Sequence, residues 1–332
     1  MRAQVLHKAA PIDTAPLVAE HRDTPEPAPG EALVRVHACA CCRTDLHVVE
    51  GDLGLPKLPV VPGHQVVGTV DALGPGCQHL TVGERVGVAW LHETCGHCEY
   101  CLRGEENLCI AARFTGWTAD GGYADALTVP ESFAVRLPET LDDVEAAPLL
   151  CAGVIGYRAL RRAEVQPGER VALIGFGASA HLAIQVLRYW GCDVVVLTRG
   201  DKHRGLATEL GASWVGDTSQ RPPRACDRAV VFAPAGELVP LALDLVRPGG
   251  TVSLAGIHMT AIPSFPYESL WHERSLRSVA NMTRRDAEEF MSLAATAGIR
   301  SDVELFALSD ANEALRRLKE DGVRGAAVLR VD

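Results

Sequence analysis

The sequence predicts an α/β protein with two domains, a β-rich N-terminal domain and a second domain built on a doubly wound parallel sheet. Its 332 residues suit two domains, because a typical domain holds roughly 100 to 200 residues. Short Val-rich runs separated by Gly and Pro fill residues 1 to about 150 and indicate brief strands joined by turns. From about residue 168, strand-like and helix-like runs alternate, which is the signature of a parallel sheet with crossover helices.

The individual runs support this division. In the first domain we predict strands, from their β-branched content, at ALVRVHACA, VVGTVDALG, ERVGVAW and YADALTV. Turns are predicted between them at EPAPGE, LPKLPVVPG and LGPGCQ. In the second domain we predict strands at VALIGFG, CDVVVLT, RAVVFAPA, TVSLAGI and SLRSVANM. Helices are predicted at ASAHLAIQVLRYWG, in a run that ends at ELGA, and around ELVPLALDLVRPGG.

The C-terminal part combines two helices and a strand. EEFMSLAATAG and ANEALRRLKEDG have the apolar periodicity of amphipathic helices, and we expect the second to open at SDANE with a Ser or Asp cap. The run AAVLRV predicts a last strand that rejoins the first domain. We therefore expect domains at residues 1–150 and 151–285, with residues 286–332 returning to the first domain.

Composition and charge narrow the function. A hydrophobic fraction of 47% and a charged fraction of 22% are ordinary for a globular protein. The formal net charge of −10 and the lack of a long basic run argue against a nucleic-acid or anionic-membrane partner. The N-terminus lacks a secretory pattern, and no run approaches the roughly 18 apolar residues of a membrane span. We therefore expect a cytoplasmic protein.

Eleven cysteines are many for such a chain, and four of them crowd into the stretch CGHCEYCLRGEENLC. An odd total without a secretory signal favours metal binding over a disulfide framework. Two-residue spacers let neighbouring thiolates turn toward one Zn²⁺, and four thiolates leave no open position, so we predict a structural zinc. Its predicted ligands are Cys95, Cys98, Cys101 and Cys109. The alternatives are free or disulfide-linked thiols and a nucleic-acid-binding zinc ribbon, against which the acidic flank EENL weighs.

A second group of metal-binding side chains is spread over three segments. HACACCRTDLHVVEG carries three cysteines, an Asp and two histidines, VVPGHQVVG carries one His, and LLCAGVIGY carries one Cys. A catalytic zinc needs three protein ligands and one position left for water or substrate. Cys42, His64 and Cys151 would supply such a set. Cys41 competes with Cys42 for the metal, although the following Arg-Thr-Asp favours Cys42.

The stretch GFGASA predicts a dinucleotide-binding loop of the Rossmann type. It lies between the strand VALI and the helix HLAIQVLRY, where the pyrophosphate of a dinucleotide rests on the helix N-terminus. The strand before it, the helix after it and the next strand make the motif specific. The predicted contacts are Gly175, Phe176, Gly177, Ala178, Ser179 and Ala180.

The choice between NAD and NADP depends on the end of the next strand, VVVLTRGDK. An acidic residue at this place binds the ribose 2′-hydroxyl of NAD, whereas an Arg accepts the 2′-phosphate of NADP. The chain has Thr198 and Arg199 here, so we predict NADP(H), with both residues contacting the phosphate. If Arg199 is only a solvated loop cation, NAD can still bind less tightly.

Five motifs together resemble those of one enzyme family. CCRTDLH, PGHQVVG, the four-cysteine stretch, APLLCAG and GFGASA have the order and rough spacing found in the zinc-dependent medium-chain dehydrogenase/reductase family, the alcohol dehydrogenases. The resemblance covers nearly the whole chain. It implies a GroES-like first domain with a structural zinc lobe at about residues 92–112 and a Rossmann second domain. The implied activity is hydride transfer between NADP(H) and an alcohol or aldehyde.

The resemblance also implies metal ligands and substrate class. It makes Cys42, His64 and Cys151 the ligands of a catalytic zinc and the four-cysteine set the ligands of a second, structural zinc. Polyol dehydrogenases of this family typically lack a cysteine at the position of Cys151, which favours a primary alcohol or aldehyde as substrate. A polyol or other secondary-alcohol dehydrogenase and a non-catalytic NADPH-binding redox sensor are the alternatives.

The resemblance also implies roles for residues that follow Cys42. Asp45 is expected to accept a hydrogen bond from His64, and a helix cap is the alternative. Thr44 and His47 lie three apart on one helical face, and the resemblance implies that the alcohol proton passes from Thr44 through the ribose of the cofactor to His47 and then to solvent. The alternative is a solvent-facing His47 without such a role. Arg43 is expected to contact the pyrophosphate of the cofactor.

Other expectations concern the substrate pocket and the assembly. Trp90 faces the substrate in the resemblance and Trp117 is a second candidate wall, with core packing as the alternative for both and the favoured one for Trp117. Trp90, the NADP preference and the segment VANMTRRD together resemble the cinnamyl-alcohol-dehydrogenase-like branch. Family members are dimers or tetramers that usually pair edge strands of the nucleotide domain, so we expect a homodimer or homotetramer with SLRSVANM at the edge.

One position departs from the family pattern, and five cysteines stay without a metal. The family usually has Glu after the ligand His, and Gln65 stands there in this chain. Gln can donate and accept hydrogen bonds but cannot neutralise positive charge. The cysteines expected to be small buried apolar residues are Cys39, Cys41, Cys77, Cys192 and Cys226.

Overall fold

The computed structural model describes residues 1–331. In chain order its strands are β1 (Arg2–Leu6), β2 (Leu17–His21), β3 (Glu31–Cys41), β4 (Val66–Leu73), β5 (Arg85–Val88), β6 (Leu91–Glu93), β7 (Arg113–Phe114), β8 (Ala126–Pro130), β9 (Ala134–Arg136), β10 (Arg170–Ile174), β11 (Asp193–Leu197), β12 (Trp214–Gly216), β13 (Cys226–Val231), β14 (Val246–Leu254), β15 (Ser275–Ser278), β16 (Val303–Ala307) and β17 (Ala326–Arg330). Its α-helices are α1 (Arg43–Glu50), α2 (Glu99–Leu102), α3 (Asp143–Ala146), α4 (Ala152–Arg162), α5 (Ala178–Tyr189), α6 (Asp201–Glu209), α7 (Leu238–Leu245), α8 (Arg284–Ala297) and α9 (Ala311–Lys319).

The chain divides into two compact units. The first consists of Met1–Cys151, Met282–Ala295 and the segment from Arg300 onward, and the second of Ala152–Asn281 and Thr296–Ile299. Cys151 is the last residue of the segment Met1–Cys151. All three candidate ligands of the catalytic zinc therefore belong to the first unit.

The first unit is built on a mostly antiparallel sheet. Its strand order is β16-β17-β3-β4-β5-β9, and β8 pairs with β3 outside this path. The central strand β3 is long and almost wholly buried, because β4, β8 and β17 all pair with it. The run AAVLRV forms β17, which pairs with β3. A separate hairpin joins β1 and β2.

The second unit contains a six-stranded sheet in the order β12-β11-β10-β13-β14-β15. Every pair in it is parallel. Val-rich strands such as β10 and β11 are buried, as strands covered on both faces must be. This order is the doubly wound arrangement that places a dinucleotide outside the carboxyl end of the first strand. The predicted fold class, a GroES-like β-rich domain with a Rossmann domain, is thereby confirmed.

Two local predictions need correction. Asp310 is the N-cap residue of α9, as predicted, but within the described residues its side chain makes no capping hydrogen bond. Its carboxylate accepts a bond from the neighbouring Ser309 hydroxyl (3.3 Å) instead, which leaves the helix N-terminus without that cap. Cys77 is only half-buried, because it lies in a surface turn where its thiol donates to the Glu31 carbonyl (3.2 Å). Among residues 1–331, no helix is both long and apolar enough to cross a bilayer.

Candidate metal centres and nucleotide site

Three side chains from distant segments form what we call the open site, namely Cys42, His64 and Cys151. Cys42 directly follows β3 and is the N-cap residue of α1, whereas His64 lies on the loop before β4. Cys151 ends the short helical turn formed by residues 147–150. The three ligand atoms lie within 4.8 Å of one another, and His64 is fully buried. Folding therefore brings together the three residues that the sequence proposed.

The donor set of the open site suits zinc. Cys42 Sγ lies 3.4 Å from His64 Nε2. Around a tetrahedral zinc, with Zn–S of about 2.3 Å and Zn–N of about 2.0–2.1 Å, a sulfur and a nitrogen ligand stand about 3.6 Å apart. Two thiols and one imidazole leave one tetrahedral position without a protein ligand, which is the pattern of catalytic zinc sites. The residues present therefore fit a zinc ion.

Asp45 holds both Cys42 and His64 in place. One carboxylate oxygen accepts a hydrogen bond from the His64 Nδ1–H (2.8 Å), and the other accepts one from the Cys42 backbone N–H (2.8 Å). This hydrogen bond keeps a proton on Nδ1, so Nε2 is the ring nitrogen that is left to bind a metal. Asp45 thus makes both of the interactions that the sequence offered as alternatives, the histidine contact and the helix cap.

The electrostatics of the open site favour a thiolate at Cys42. A hydrogen bond from Cys151 holds the pKa of Cys42 well below its ordinary value, against the effect of burial, and His64 lowers it further. The same hydrogen bond, together with burial, raises the pKa of Cys151 well above its usual range. Burial lowers the pKa of His64, but the charges of Asp45 and Cys42 outweigh it and bring that pKa to about 10.

Four thiols of one lobe form what we call the closed cage, namely Cys95, Cys98, Cys101 and Cys109. The Sγ atoms of Cys95 and Cys101 are 4.0 Å apart, and that of Cys109 lies 3.6 Å from Cys95. The Cys98–Cys101 separation is 3.5 Å. Sulfur atoms around a tetrahedral zinc stand about 3.8 Å apart, so these distances fit one ion with no position left open.

Local backbone geometry forms the closed cage. Gly96 and Gly104 adopt φ of +72° and +74°, the left-handed region that favours glycine. Backbone N–H groups also point at sulfur, since Cys98 N–H donates to Cys95 Sγ (3.3 Å) and Cys95 N–H to Cys109 Sγ (3.4 Å). A hydrogen bond from the Cys101 backbone lowers the pKa of Cys98 to about 6. These features stabilise the thiolate at Cys98, whereas burial raises the pKa of Cys101 to about 11.

The candidate proton relay extends to a residue that the sequence did not single out. Thr44 and His47 both lie on α1, and the Thr44 N–H donates to Cys42 Sγ (3.3 Å). His47 Nδ1 lies 2.7 Å from Asp52 Oδ2. Gly51, with φ of +86°, reverses the chain at the end of α1 and returns Asp52 to His47. The sequence signal that could have identified Asp52 is the Gly-Asp pair directly after the helical run.

An aromatic stack borders His64. Trp90 meets His64 edge to face, with ring centroids 4.9 Å apart, and stacks on Trp117 at 5.9 Å. Phe114, which the sequence prediction missed, stacks on Trp90 at 5.2 Å. Trp90 is 7% exposed and packs in the core, while Trp117 is half-buried and donates from its indole N–H to the Gly54 carbonyl (2.9 Å). Trp90 thus combines core packing with a place beside the open site, and Trp117 packs behind it.

Tyr123 and Gly63 support the ligand histidine from behind. Tyr123 is fully buried, and its backbone N–H donates to the Pro62 carbonyl (3.0 Å). Gly63 adopts φ of +96°, and a Cβ atom there would lie 2.3 Å from the Tyr123 ring. Only glycine fits between the ring and the loop that carries His64. Gln65, the departure from the family pattern, is buried, and its amide nitrogen has no hydrogen-bond partner among residues 1–331.

The predicted dinucleotide loop lies in the second unit, between β10 and α5. Gly177 is the N-cap residue of α5, and within the described residues no side chain caps this helix end. A Cβ atom at Gly177 would meet nothing, whereas one at Gly175 would lie within 3 Å of Ala233. Free backbone N–H groups beside open space are what a pyrophosphate needs. Phe176 and Ala180 are buried, and Ala178 and Ser179 are half-buried.

The residues predicted to select the cofactor follow β11. Thr198 is 5% exposed, and its N–H donates to the Gly216 carbonyl (2.9 Å). Arg199 is exposed, and the first acidic residue after β11 is Asp201, which opens α6. Arg204 pairs with this carboxylate at 2.8 Å. Arg43, the predicted pyrophosphate contact, is exposed at the first position of α1 in the other unit.

Comparison with known proteins now decides the family. Two family models match the chain, the alcohol dehydrogenase GroES-like domain over residues 28–139 and the zinc-binding dehydrogenase over residues 180–296. A probable alcohol dehydrogenase, AdhA, of Mycobacterium tuberculosis is 48% identical over 99% of this chain and 97% of its own length. The chain belongs to the zinc-dependent medium-chain alcohol dehydrogenase family. Its class is therefore that of the alcohol dehydrogenase oxidoreductases.

Solved structures of alcohol dehydrogenases agree with this membership. A cinnamyl alcohol dehydrogenase of Sorghum bicolor superposes with a TM-score of 0.91 at 28% identity, over 99% of this chain and 97% of that one. A thermostable alcohol dehydrogenase of Pyrobaculum aerophilum was solved with cobalt and zinc bound. It superposes with a TM-score of 0.90 at 25% identity, over 100% of this chain and 99% of that one. The family is thus confirmed, and placement in the cinnamyl branch stays a prediction.

Proposed function

We propose that this family member is a zinc-dependent dehydrogenase that transfers a hydride between NADP(H) and a primary alcohol or aldehyde. The observation that carries the proposal is the open site, in which Cys42, His64 and Cys151 come within 4.8 Å from three distant segments. When bound, zinc supplies a Lewis acid that polarises the alcohol or carbonyl oxygen, and the nicotinamide supplies or accepts the hydride. The other steps belong to side chains of the chain itself.

The first task of the chain is to hold the ligands in one geometry. Asp45 accepts a hydrogen bond from the Nδ1–H of His64. This bond fixes the orientation of the ring that presents Nε2 to the metal position. Its second oxygen anchors the Cys42 backbone, so one carboxylate aligns two of the three ligands. The Tyr123 ring lies beneath Gly63 and fixes the loop from which His64 projects.

The second task is to move a proton. Thr44 is half-buried one turn from His47 on α1, and His47 in turn contacts Asp52 at 2.7 Å. We propose that the Thr44 hydroxyl accepts the alcohol proton as it gives up its own, and that His47 is the residue from which a proton leaves to solvent. The Asp52 carboxylate is half-exposed, and its contact with Nδ1 holds the His47 ring in one orientation.

The third task is to select the substrate. The stack of Trp90, Phe114 and Trp117 borders His64 with a flat apolar surface and excludes water from that side. Such a surface favours medium-length or aromatic primary alcohols and their aldehydes over hydrated polyols. Cys151 as a ligand supports the same choice, given the family pattern described above.

The cofactor proposal depends on the residues that follow β11. An acidic side chain at this place would bind the 2′-hydroxyl of NAD, but Thr198 and the exposed Arg199 stand there instead. We propose that both contact the 2′-phosphate of NADP. We also propose a homodimer or homotetramer, since β15 ends the sheet order of the second unit and leaves its outer edge to pair.

One combined experiment tests these points. Metal analysis of the purified protein should give two zinc ions per chain, and titration should give tighter binding of NADPH than of NADH. Initial rates on benzaldehyde, cinnamaldehyde, a short aldehyde and sorbitol should rank the polyol last. Protein that binds NADPH but reduces none of the aldehydes would contradict the enzyme proposal and favour a non-catalytic sensor.

The variant Thr198→Asp tests the cofactor proposal separately. A carboxylate at the end of β11 repels the 2′-phosphate and can accept a hydrogen bond from the 2′-hydroxyl, so the preference should shift toward NADH by about 10-fold or more. Asp217→Asn, at a half-buried position in the loop after β12, is the charge-change control. An unchanged ratio of NADPH to NADH affinity in Thr198→Asp would remove the basis for the NADP assignment.

A further inference from the structure

The third ligand of the open site, Cys151, is held in a different way from the other two. The Asp45 carboxylate forms hydrogen bonds with Cys42 and His64. Cys151 instead ends a stretch of residues 143–150, which consists of α3 and the short helical turn after it, and which we call the Cys151 segment. Whatever fixes this segment therefore fixes the third ligand sulfur.

The Cys151 segment lies on one face of the sheet of the first unit. Arg85 and Gly87 are two residues apart on β5, so both face the same side of that strand. Arg85 donates from Nε to the Asp143 carboxylate, and Leu150 packs over Gly87. The residue between them, Val86, points the other way and belongs to the hydrophobic core of the unit. The segment thus contacts one side of β5 at both of its ends.

Ionic and polar contacts hold the start of the segment. One oxygen of the Asp143 carboxylate accepts from Arg85, and the other lies 2.7 Å from His37 Nδ1. Arg85 also donates to the carbonyls of Pro138 (3.1 Å) and Leu141, which precede α3. The side chains of Arg85, Asp143 and His37 are 18–30% exposed, so water screens these contacts less than it screens pairs at the open surface. One carboxylate thereby joins α3 to β3 and β5.

Close packing holds the end of the segment beside the ligand. Leu150, the residue before Cys151, is fully buried. A Cβ atom added at Gly87 would lie 2.6 and 2.8 Å from the two methyl carbons of Leu150. Carbon atoms in favourable contact stand about 3.5–4.0 Å apart. The leucine therefore occupies the space that any side chain at this position of β5 would need.

We propose that Gly87 and Asp143 are positioning residues for Cys151, and that they set the zinc affinity of the open site through the Cys151 segment. The inference rests on the proposed function for the identity of the metal. A side chain in place of Gly87 would displace Leu150 by roughly 1 Å, and Cys151 follows directly in the chain. Distances between zinc and its ligands tolerate only about 0.2 Å, so such a displacement weakens or breaks the third metal–ligand bond.

The variant Gly87→Ala tests the end of the segment beside the ligand. In the full-length protein, competition with a chelator measures the zinc affinity of each site. Bound zinc protects its cysteines from alkylation, so peptide mass spectrometry of the alkylated protein assigns each loss to the open site or the closed cage. Affinity at the open site should fall by about 10- to 100-fold, the usual effect of losing a group that orients metal ligands. The closed cage should keep its affinity.

A rescue variant and a matched control separate positioning from a general loss of stability. Leu150→Val lacks the two methyl carbons that the added methyl group would meet. Combined with Gly87→Ala, it should restore the open-site affinity to within about threefold of the wild type. Val86→Ala, beside Gly87 but on the opposite face of β5, should lower Tm by a few degrees and leave the open-site affinity within about threefold.

Asp143→Ala tests the other end of the segment. It removes the partner of Arg85 and His37, and the open-site affinity should fall on the order of 10-fold while the closed cage keeps its zinc. An open-site affinity in Gly87→Ala within about threefold of the wild type would overturn the inference, as would an equal loss in Val86→Ala. If Gly87→Ala does not fold, an unchanged affinity in Asp143→Ala would overturn it alone.

The wild-type protein keeps this inference and the proposed function apart. Zinc bound at the closed cage alone would overturn both, because the open site would then hold no metal to position. Zinc bound at both sites without turnover of any alcohol or aldehyde would overturn the proposed function alone, since the affinities of the variants do not depend on catalysis.

Discussion

The first unit contains two groups of sulfur ligands, and they are built in opposite ways. The closed cage takes four thiols from one lobe, residues 95–109, and most of these side chains are half-exposed. The open site takes two thiols and a fully buried imidazole from three segments. The closed cage is therefore a property of a local loop, whereas the open site exists only when the whole unit is folded.

This difference explains why the closed cage suits a structural metal and the open site a catalytic one. A zinc surrounded by four thiolates has no position for substrate, so its free energy of binding can only stabilise the lobe. The open site keeps one position without a protein ligand, and the rigid unit around it holds the geometry. Asp45 and Tyr123 support that geometry with buried hydrogen bonds and packing from outside the ligand segments' own turns, whereas the closed cage is supported mainly by backbone N–H groups of its own loop. Loss of a ligand should therefore affect activity in one site and stability in the other.

The largest expected effect is on turnover, in the variant Cys151→Ser. A serine hydroxyl is a poor zinc ligand, so the open site loses its metal or its geometry while the fold remains. Because a Lewis acid contributes several kcal/mol to the transition state, kcat should fall by at least about 10³-fold. Steady-state kinetics and metal analysis check this together, with zinc falling from two ions per chain toward one.

Cys192→Ser is the matched control for that variant. Cys192 is a buried cysteine of the second unit, and its thiol donates to the Gln166 carbonyl (3.5 Å), a bond that serine can replace. Its kcat should stay close to that of the wild type. If Cys151→Ser kept its turnover, or lost as much thermal stability as a variant of the closed cage, the two sites would not differ in role.

The next effect is on stability, in the variant Cys98→Ser. Without one thiolate the closed cage binds zinc poorly, and the lobe of residues 95–109 loses what holds it. We expect the free energy of unfolding to fall by on the order of 3 kcal/mol, or Tm by roughly 6–12 °C. The kcat of the protein that remains folded should change by less than about threefold. Differential scanning calorimetry and kinetics at low temperature separate these two results.

A smaller effect is expected from Asp45→Asn, which tests how the open site is held. The two carboxylate oxygens of Asp45 accept from His64 and from the Cys42 backbone, but an amide offers only one acceptor. One of the two bonds must break, and zinc affinity at the open site should fall by about 10- to 100-fold. Metal competition with a chelator measures this affinity, and the closed cage serves as the internal control. Equal loss from both sites would contradict the role given to Asp45.

The contrast between the sites also decides what the sequence could reveal. The closed cage was predictable from spacing alone, because its four ligands lie within fifteen residues and turn on two glycines. Cys42 and His64 are 22 residues apart, and such spacing carries no geometry. The open site was predicted through resemblance to a family. Phe114 and Tyr123 were missed because their contacts with Trp90 and Gly63 cross the sheet and the loops, where no short sequence pattern records them.

The secondary structure followed the same rule. Strands and helices with a clear period, such as β11 and α5, were predicted correctly in type and place. The N-cap position of α9 was predicted correctly at Asp310, but its carboxylate accepts from the Ser309 hydroxyl and makes no cap bond, a local choice that the sequence pattern does not record. His47 was identified, but Asp52 was not, since the turn at Gly51 brings it back beyond the end of the helix.

The smallest expected effect concerns how the lobe is attached to the rest of the first unit. Glu106, within the lobe, is 8% exposed, and Arg284 at the start of α8 binds it with both side chain and backbone. The Arg284 guanidinium also lies 4.5 Å from the centre of the Phe133 ring. The planar guanidinium thus joins the lobe to a helix that is distant in sequence, through two donors and one ring face.

The variant Arg284→Lys keeps the positive charge but loses the paired donors and the stacking on Phe133. Because the arginine is partly exposed, we expect a loss of about 1 kcal/mol in the free energy of unfolding, or roughly 2–4 °C in Tm. Zinc content should stay at two ions per chain, and kcat should not change. Arg285→Lys, whose side chain is mostly exposed and pairs with Glu289, is the control and should lose less. If Arg284→Lys released zinc from the closed cage, the cage would depend on a distant segment, and the contrast between a local and an assembled site would no longer hold.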